Sequence, residues 1–349
     1  MEDRAVAMKK EESGSDRFLN IMTNYSPIIN NAEWGGTVLT YNSFARKNKF
    51  FTIMNCLNAW RKSDWVVVYQ SGFPVFLFCL MNFFLRFRYV KVCSIDFQFS
   101  RPGNGLSGKL RGWVWKFIWR RVDLVICHMR YSDDLSTYFG IAESKFQYVP
   151  YKINGFEELN ELSIEDEGYI FSGGYSWRDY KTFAEAMRGV DCEALIVCPK
   201  QETARVHGTD ISAIQLPESV KLIEHDCDSK SWRNFIAKSR LVVIPVLKSA
   251  LCSNGVSVYM SAMGMGKCVV ITDCPAVRGV LQNGEECMIV PPGDPVALRE
   301  VINQVLRDHS LRESLAKRGK EFAWKQGGLD EFCDRIVDTI VSRMGTGGG

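Results

Sequence analysis

The sequence predicts an α/β protein with two parallel-sheet domains, and three observations support this. The chain has 349 residues, about the length of two ordinary domains. Hydrophobic residues make up 46% and charged residues 24% of it, which is typical of a folded protein with substantial cores. Short apolar runs alternate with helical patterns along the chain, as in parallel sheets that helices cover on both faces.

Each predicted strand is a short apolar run followed by about 10 to 20 residues of helical periodicity. The runs are Trp65–Tyr69, Val90–Cys93, Leu124–Cys127, Tyr169–Phe171, Ala194–Val197, Leu241–Ile244 and Cys268–Ile271. Pro74 interrupts the apolar stretch around the first of them, so that stretch is interpreted as a strand and a buried helix. A membrane-spanning helix would need about 20 apolar residues. The pattern indicates two Rossmann-like halves.

Charge and periodicity indicate the domain boundaries. Six acidic residues and no basic one lie between Glu157 and Glu167, which is interpreted as a solvated linker. Phe332, Ile336 and Ile340 have the four-residue spacing of a final amphipathic helix. The predicted organisation is a disordered N-terminus (1–16), a first domain (17–150), an acidic linker (151–168), a second domain (169–328), a final helix (329–344) that can pack back on the first domain, and a flexible tail (345–349).

Composition excludes several classes of protein. The twelve cysteines are scattered without a CxxC pair and there are only four histidines, so we expect free thiols in a reducing cytoplasm and no metal site. The N-terminus has no apolar segment of the kind a secretory signal needs, which also favours a cytoplasmic protein. The net charge of +3 is too balanced for a protein that binds nucleic acid.

Two segments of the second half have residues suited to a diphosphate. In the first, a predicted strand ends at Gly173-Gly174 and is followed by Arg178 and Lys181. Such a junction offers free backbone N–H groups, the positive end of a helix and two cations, although a simple tight turn also fits the glycine pair. In the second, Ser253-Asn254-Gly255 opens a helix, where small side chains let a phosphate approach closely.

Downstream of these segments, four motifs follow in a fixed order: Ala262-Met263, Gly266-Lys-Cys-Val-Val270, Thr272-Asp273 and Val290-Pro-Pro-Gly-Asp-Pro295. With them, the chain from Tyr169 to about Ala323 resembles the nucleotide-sugar-binding half of GT-B-fold glycosyltransferases. It is most similar to the retaining group called family 4, or group 1. The N-terminal half resembles that family only in its rhythm of strands and helices.

The resemblance implies a GT-B architecture, with two Rossmann-like domains that face each other across a cleft. The donor would bind the second domain and the acceptor the first. The implied activity is a hexosyltransferase of polysaccharide biosynthesis that moves a sugar from a nucleoside-diphosphate sugar to an acceptor hydroxyl, with retention and with neither metal nor cofactor. Arg178 would stabilise the charge on the leaving diphosphate. The implied donor-binding residues are Gly173, Gly174, Arg178, Lys181, Ser253, Asn254, Gly255, Val256, Ser257 and Ser261.

The sequence departs from the family at two places. Most members have glutamates on both sides of the phosphate-binding helix start, and here those places fall on Cys252 or Ser253 and on Ser261. Other groups then hold the donor, or Ser261 gives a weaker hydroxyl contact, or donor binding has been lost. A sugar-nucleotide epimerase of the same fold and a non-catalytic sugar-nucleotide-binding subunit are therefore alternatives to a transferase.

Candidate catalytic groups of the first half follow predicted strands. The place of the family's histidine falls on Cys93–Asp96, which has an aspartate instead. Asp96 could orient the acceptor hydroxyl or accept its proton, and a loop-start cap is an equally good interpretation. His128 follows the next strand and is the alternative titratable group, although a structural histidine also fits its position.

One region of the first half is strongly basic. Between Arg86 and Arg130 there are ten basic and two acidic residues, a local charge of +8. Cations beside tryptophans suit the headgroup layer of an anionic bilayer, which predicts peripheral contact with the inner face of the cytoplasmic membrane and a lipid-linked or membrane-bound glycan acceptor. A core helix with a basic polar edge is the alternative. The predicted membrane-facing residues are Lys109, Arg111, Trp113, Lys116, Arg120 and Arg121.

Overall fold

A computed structural model describes residues 19–30, 37–43, 48–70, 72–97, 105–212, 214–225 and 229–345. The chain divides into two compact units. The first unit takes the described residues up to His128, then Ser132–Val149 and the last helix from Cys333 onward, and the second takes Met129–Tyr131 and Pro150–Phe332. The predicted disordered N-terminus and residues 346–349 of the predicted tail lie outside the described residues.

The first unit is built on a six-stranded parallel sheet, with strand order β2-β1-β3-β4-β5-β6. Its strands are β1 (Leu19–Thr23), β2 (Thr37–Tyr41), β3 (Trp65–Tyr69), β4 (Lys91–Ile95), β5 (Leu124–Cys127) and β6 (Phe146–Tyr148). The helices between them are α1 (Pro27–Asn30), α2 (Lys49–Lys62), α3 (Gly72–Phe84), α4 (Leu106–Trp119) and α5 (Asp133–Phe139). A 3₁₀ turn spans Glu143–Lys145.

The second unit has a six-stranded parallel sheet of its own, with strand order β12-β11-β10-β7-β8-β9. Its strands are β7 (Ile170–Gly173), β8 (Ala194–Cys198), β9 (Val220–Glu224), β10 (Leu241–Ile244), β11 (Cys268–Thr272) and β12 (Met288–Val290). Its helices are α6 (Tyr180–Met187), α7 (Gln201–Val206), α8 (Ser229–Ala237), α9 (Val256–Gly264), α10 (Pro295–Arg307) and α11 (His309–Trp324). The final helix, α12 (Leu329–Gly345), begins in this unit.

The central strands are apolar because both of their faces are covered. In β10, Val242 and Ile244 belong to one buried cluster, and Leu241 and Val243 belong to the cluster on the other face. Side chains alternate between the faces of a strand, so burial on both faces needs a continuous apolar run. All seven predicted strands are present, and their ends differ by no more than two residues from the prediction.

The segment predicted as a solvated linker, 151–168, packs within the second unit. Ile153 and Leu159 are buried in its core, and Leu159–Glu161 forms a 3₁₀ turn. Its carboxylates pair with cations of α8 and of the residues after it: Glu158 with Arg233, Glu167 with Lys238 and Asp166 with Arg240. The six acidic side chains are exposed, as predicted for a solvated segment. The segment is nevertheless part of the second unit and not a separate linker, because Ile153 and Leu159 anchor it in the core and its acidic run faces cations about 75 residues later in the chain.

Candidate functional site

The glycine pair forms the turn that follows β7. Gly173 is the last residue of the strand, and Gly174 has a φ of 108°, a conformation that L side chains rarely adopt. A Cβ atom on Gly173 would lie 2.3 Å from Cζ of Phe171 and 2.4 Å from Cη2 of Trp232. Neither position therefore accepts a side chain without rearrangement, because Phe171, Trp232 and Arg178 already fill the space that a Cβ atom would take.

The Arg178 side chain folds back over this turn. It is only 4% exposed, its Nε donates to the carbonyl of Gly173 at 3.1 Å, and its Nη1 donates to the carbonyl of Ser176 at 2.7 Å. Thr209 fixes the backbone here, because its hydroxyl accepts from the N–H of Arg178 at 2.8 Å and donates to the carbonyl of Tyr175 at 2.6 Å. The structure thus holds a guanidinium at the turn where the sequence predicted a phosphate-binding cation.

The beginning of α6 differs from the prediction. Asp179 is the N-cap: its Oδ1 accepts from the N–H of Thr182 at 3.1 Å and its Oδ2 from the Thr182 hydroxyl at 2.8 Å. An anionic cap already occupies the positive end of this helix, so α6 does not offer a vacant anion site. Lys181 lies exposed in the first turn of α6. The prediction of a free helix N-terminus at this segment is therefore wrong.

The beginning of α9 has the features that α6 lacks. Gly255 is the N-cap with a φ of 99° and gives no side-chain cap. The N–H groups of Val258 and Tyr259 both bond to the carbonyl of Gly255, and in the described part of the chain no acceptor takes the N–H of Gly255 or Ser257. Unsatisfied N–H groups at a helix start are a favourable site for an anion.

Ser253, Asn254 and Val256 lie buried around this helix start, and Ser257 is half-buried. Ser261 is placed differently. It is buried one turn further along α9, and its hydroxyl donates to the carbonyl of Ser257 at 2.9 Å. A direct contact of Ser261 with the donor would require this hydroxyl to leave its partner, so the structure does not support it as a donor ligand.

The Arg178 turn and the α9 start belong to one neighbourhood of the second unit. Arg178 forms an isolated antiparallel bridge with Val246, and a Cβ atom on Gly255 would lie 3.6 Å from Cγ2 of Val246. Cys274 links the two segments as well, because its Sγ lies 3.8 Å from the carbonyl oxygen of Asn254. Burial raises the pKa of Cys274 to about 11, and the positive charge of Arg178 partly opposes that rise. The guanidinium and the open helix start therefore lie at the same carboxyl edge of the sheet.

In the first unit, three side chains meet where consecutive strands end. Gln70 follows β3, Asp96 follows β4 and His128 follows β5. Nε2 of Gln70 donates to Oδ2 of Asp96 at 2.6 Å, and Nε2 of His128 lies 3.9 Å from Oδ1 of Asp96. The sequence offered Asp96 and His128 as alternatives and the structure brings them together, while Gln70 was not predicted.

The protonation of this cluster follows from its surroundings. Nδ1 of His128 lies 2.8 Å from the carbonyl oxygen of Val149, so this nitrogen carries the proton and donates it. In the neutral ring, Nε2 is then the basic nitrogen, on the side of Asp96. Burial raises the pKa of the Asp96 carboxyl, and a protonated His128 and the hydrogen bond from Gln70 oppose that rise. A carboxyl group and an imidazole in this arrangement can exchange a proton with a bound hydroxyl.

Backbone strain marks both clusters. Three non-glycine residues have a positive φ in the described part of the chain: Gln70 (51°), Asp96 (49°) and Trp177 (55°). The first two belong to the cluster of the first unit, and Trp177 lies in the turn next to Arg178. Such conformations cost about 1 to 3 kcal/mol each and are concentrated at functional sites. This signal could not be found in the sequence.

The predicted membrane-facing residues lie on and just after α4. Lys109, Arg111, Trp113, Lys116 and Arg120 are exposed, whereas Arg121 is half-buried. The guanidinium carbon of Arg121 lies 4.5 Å from the ring centroid of Phe83 and 4.2 Å from that of Phe117. Burial and the neighbouring Arg120 lower the pKa of Arg121. Arg121 therefore contributes to packing between α3 and α4 as well as to the basic surface.

Comparisons with known proteins identify the second unit. Residues 169–308 match the family described as Glycosyl transferases group 1. Over these residues the chain is similar to a group 1 glycosyltransferase domain. A 64-residue segment is also 41% identical to the phosphatidyl-myo-inositol mannosyltransferase of Mycobacterium leprae. That segment is 18% of this chain and covers 17% of the length of the relative.

Solved structures extend the likeness beyond this region to almost the whole chain. Sucrose-phosphate synthase from Thermosynechococcus elongatus matches with a TM-score of 0.64 at 14% identity, over 90% of this chain and 84% of that one. Anabaena HepE, solved in complex with UDP and glucose, matches with a TM-score of 0.63 at 12% identity, over 93% of this chain and 100% of that one. At such low identity these likenesses show the fold, and they confirm the GT-B fold class.

The Gly173–Gly174 turn, Arg178 and the α9 start all lie inside the region that is similar to a group 1 glycosyltransferase domain. Gln70, Asp96 and His128 lie outside it. In the described residues, no group of three or more His, Cys, Asp or Glu side chains is arranged to hold a metal ion. No helix in the described ranges combines the length and the hydropathy that crossing a membrane requires.

Proposed function

We propose that the protein is a glycosyltransferase that moves a sugar from a nucleoside-diphosphate sugar to an acceptor hydroxyl. The observation that carries this proposal is the buried Arg178 at a double-glycine turn, in the same neighbourhood as the uncapped start of α9. Its position inside a region similar to a group 1 glycosyltransferase domain supports the proposal, as does the UDP bound in the Anabaena relative. The donor binds to the second unit and the acceptor to the first.

The chemistry follows from where charge develops. When the anomeric bond breaks, negative charge builds up on the leaving diphosphate. The guanidinium of Arg178 and the N–H groups of Gly255 and Ser257 are fixed before the reaction, so they stabilise this charge at little reorganisation cost. We infer a transfer that needs neither metal nor cofactor and that retains the anomeric configuration, as the resemblance to family 4 implies.

The acceptor hydroxyl is oriented by the Asp96–His128 pair. Asp96 accepts a hydrogen bond from the acceptor hydroxyl. Nε2 of His128 either receives the proton of that hydroxyl or, once protonated, stabilises the Asp96 carboxylate. Gln70 fixes the carboxylate through its 2.6 Å hydrogen bond.

The same pair favours one alternative activity. A sugar-nucleotide epimerase of this fold needs an acid and a base around the bound sugar. The sequence showed no obvious pair, but the structure places Asp96 and His128 within 3.9 Å of each other. The reaction products separate this alternative from the transferase.

We also propose that the protein works in the cytoplasm, at the inner face of the membrane, on a glycan or lipid-linked acceptor. The exposed cations of α4 support membrane contact. The curated relative is named for a lipid acceptor, which supports the same class of acceptor here.

The test begins with donor binding. UDP-, GDP- and ADP-sugars are titrated by calorimetry, in buffer with and without EDTA, and the release of nucleoside diphosphate is then followed. Binding with slow donor hydrolysis, insensitive to EDTA, is the expected result. Sugar isomerisation without hydrolysis would identify the epimerase, and binding without any turnover would identify a binding subunit. If no donor binds, both enzymatic proposals are wrong. With an acceptor in hand, NMR of the product linkage tests retention.

A further inference from the structure

Exposed hydrophobic side chains are concentrated on one part of the first unit. Eleven of the eighteen large hydrophobic side chains that are exposed in the described part of the chain lie between Phe50 and Trp113. Among them are Phe50 (63% exposed), Phe51 (58%), Leu106 (88%), Leu110 (64%) and Trp113 (65%). Isolated exposed apolar residues are ordinary, whereas a concentration of this kind marks an interaction surface.

Nine of these eleven residues lie on α2, α3 and α4, which share one side of the sheet, and Phe87 and Tyr89 follow α3. The helices α2, α3 and α4 each lead into the next strand of the run β3, β4 and β5, and α3 packs against both α2 and α4. In a parallel sheet, each such helix begins at the carboxyl edge of the strands and runs back. Phe50 and Phe51 begin α2, Phe73 lies at the start of α3, and Leu106 and Leu110 lie in the first turns of α4. We call these five residues the apolar rim.

The apolar rim is at the same edge of the sheet as the candidate catalytic cluster. Gln70, Asp96 and His128 each follow the last residue of a strand, and this is the edge where α2, α3 and α4 begin. A surface that holds the apolar rim therefore lies on the side of the unit where the Asp96 carboxyl is found.

The charge on these helices indicates which kind of partner fits this surface. Neither α2, α3 nor α4 contains a single Asp or Glu. Their exposed cations include Lys49 at the start of α2 and Lys109 and Arg111 in the first turns of α4. Aromatic and aliphatic side chains that reach the acyl region, with cations at the level of the phosphates, are what an anionic bilayer binds. A soluble protein partner does not require the complete absence of carboxylates over three helices.

We propose that the apolar rim and its flanking cations form a docking surface for an anionic lipid bilayer. Docking puts the Gln70–Asp96–His128 edge at the headgroup layer, so that the acceptor is a hydroxyl group carried by a membrane lipid. The docking stands by itself, and the identity of the acceptor rests on the glycosyl transfer proposed above.

Vesicle sedimentation tests the docking without any substrate. The full-length protein is mixed at low salt with vesicles of phosphatidylcholine alone, or of phosphatidylcholine and phosphatidylglycerol. We expect binding to the mixed vesicles that weakens as salt is added, and little binding to the neutral ones. The double variant Phe50→Ser with Phe51→Ser should lower the partition coefficient more than tenfold, and Leu106→Ser with Leu110→Ser should do the same. Lys109→Gln with Arg111→Gln should lower it about fivefold for each cation removed.

Matched variants in the second unit serve as controls. Val206→Ser with Val296→Ser removes two exposed apolar side chains, and Lys248→Gln with Lys317→Gln removes two exposed cations. Neither control should change vesicle binding. Donor calorimetry without vesicles should be the same for every variant, which separates a failure of docking from a failure of the proposed function. Equal binding to both kinds of vesicle, no binding to either, or rim variants that bind like the controls would overturn the proposal.

Discussion

Nε2 of Gln70 donates a 2.6 Å hydrogen bond to Oδ2 of Asp96, and both residues have the left-handed backbone that non-glycine residues usually avoid. Each residue also continues the sheet: the N–H of Gln70 bonds to the carbonyl of Ile95, and the N–H of Asp96 bonds to that of Ile126. The strained turns therefore aim two side chains at each other across neighbouring strands. The cost of two unfavourable φ angles is consistent with a site whose geometry is selected for chemistry.

Asp96→Asn should lower turnover by about 10²- to 10⁴-fold, because the amide cannot accept or hold a proton for the acceptor hydroxyl. Asparagine is isosteric, tolerates a positive φ and still accepts from Gln70, so the fold should be retained. Asp134→Asn, an exposed carboxylate of the same unit, is the matched control. Turnover measured at saturating donor decides the question. Activity within about twofold of wild type would leave Asp96 as a turn residue.

The raised pKa of Asp96 also predicts a pH dependence of stability. A carboxyl whose pKa is raised by folding binds its proton more tightly in the native state. Its contribution to stability is therefore complete below the ordinary pKa of about 3.9 and is lost as the pH rises through the native value. The melting temperature of the wild type should therefore fall relative to that of Asp96→Asn as the pH rises above about 4. A difference that does not change with pH would contradict this.

Seven of the eight inner strands could be predicted from the sequence, whereas the four edge strands and the inner strand β1 could not. The seven strands give continuous apolar runs because both of their faces are covered, whereas β1 includes the polar residues Asn20 and Thr23. In β9, Lys221 and Leu222 are exposed, so Val220–Glu224 gives no such run. In β12 only three residues pair with β11. Edge strands pack on fewer neighbours, and their sequences are correspondingly less apolar.

Some residues of the candidate site could likewise be predicted from the sequence and others could not. Arg178 and Gly255 each belong to a short contiguous motif, so the position of each could be predicted from the sequence. Gln70 could not, because its partner lies 26 residues away and no local pattern links the two. The ion pairs of the predicted linker could not be predicted for the same reason, since the cations lie 71 to 75 residues further along the chain. Long-range polar pairing leaves no periodicity in the sequence.

Gly174→Ala and Gly284→Ala should separate backbone strain from donor binding. Both glycines have a positive φ, 108° and 80°, so each alanine should cost about 1 to 2 kcal/mol of stability. The new methyl group of Gly284→Ala meets nothing within 4 Å, whereas that of Gly174→Ala comes within 2.7 Å of Nη2 of Arg178. Only Gly174→Ala should displace the guanidinium and weaken donor affinity by calorimetry. Equal donor affinity in the two variants would count against the turn as the donor site.

Lys267→Met should reduce stability without affecting the donor. The ammonium group of Lys267 is buried and donates to the carbonyls of Glu165 at 2.7 Å and Ser239 at 2.8 Å, and burial lowers its pKa. Methionine leaves both carbonyls without this donor, at a cost of about 2 to 4 kcal/mol. Lys248→Met, at an exposed position, is the control. The melting temperature should fall for Lys267→Met and stay unchanged for Lys248→Met. A loss of donor affinity in folded Lys267→Met would instead assign this lysine to the donor site.

Arg178→Ala tests the residue on which the proposed function depends. A buried, charge-assisted contact to the diphosphate is worth about 1.5 to 3 kcal/mol, so donor affinity or turnover should fall by more than about tenfold. The substitution also removes the hydrogen bonds to Gly173 and Ser176, so thermal unfolding must show that the variant is folded. Arg178→Lys keeps the charge and loses the planar fork, and it should recover part of the affinity if the charge faces the diphosphate. Arg188→Ala removes an exposed arginine that follows α6 and pairs with Glu185, and it should change neither quantity. If Arg178→Ala is folded and binds the donor like Arg188→Ala, the diphosphate does not bind at this turn.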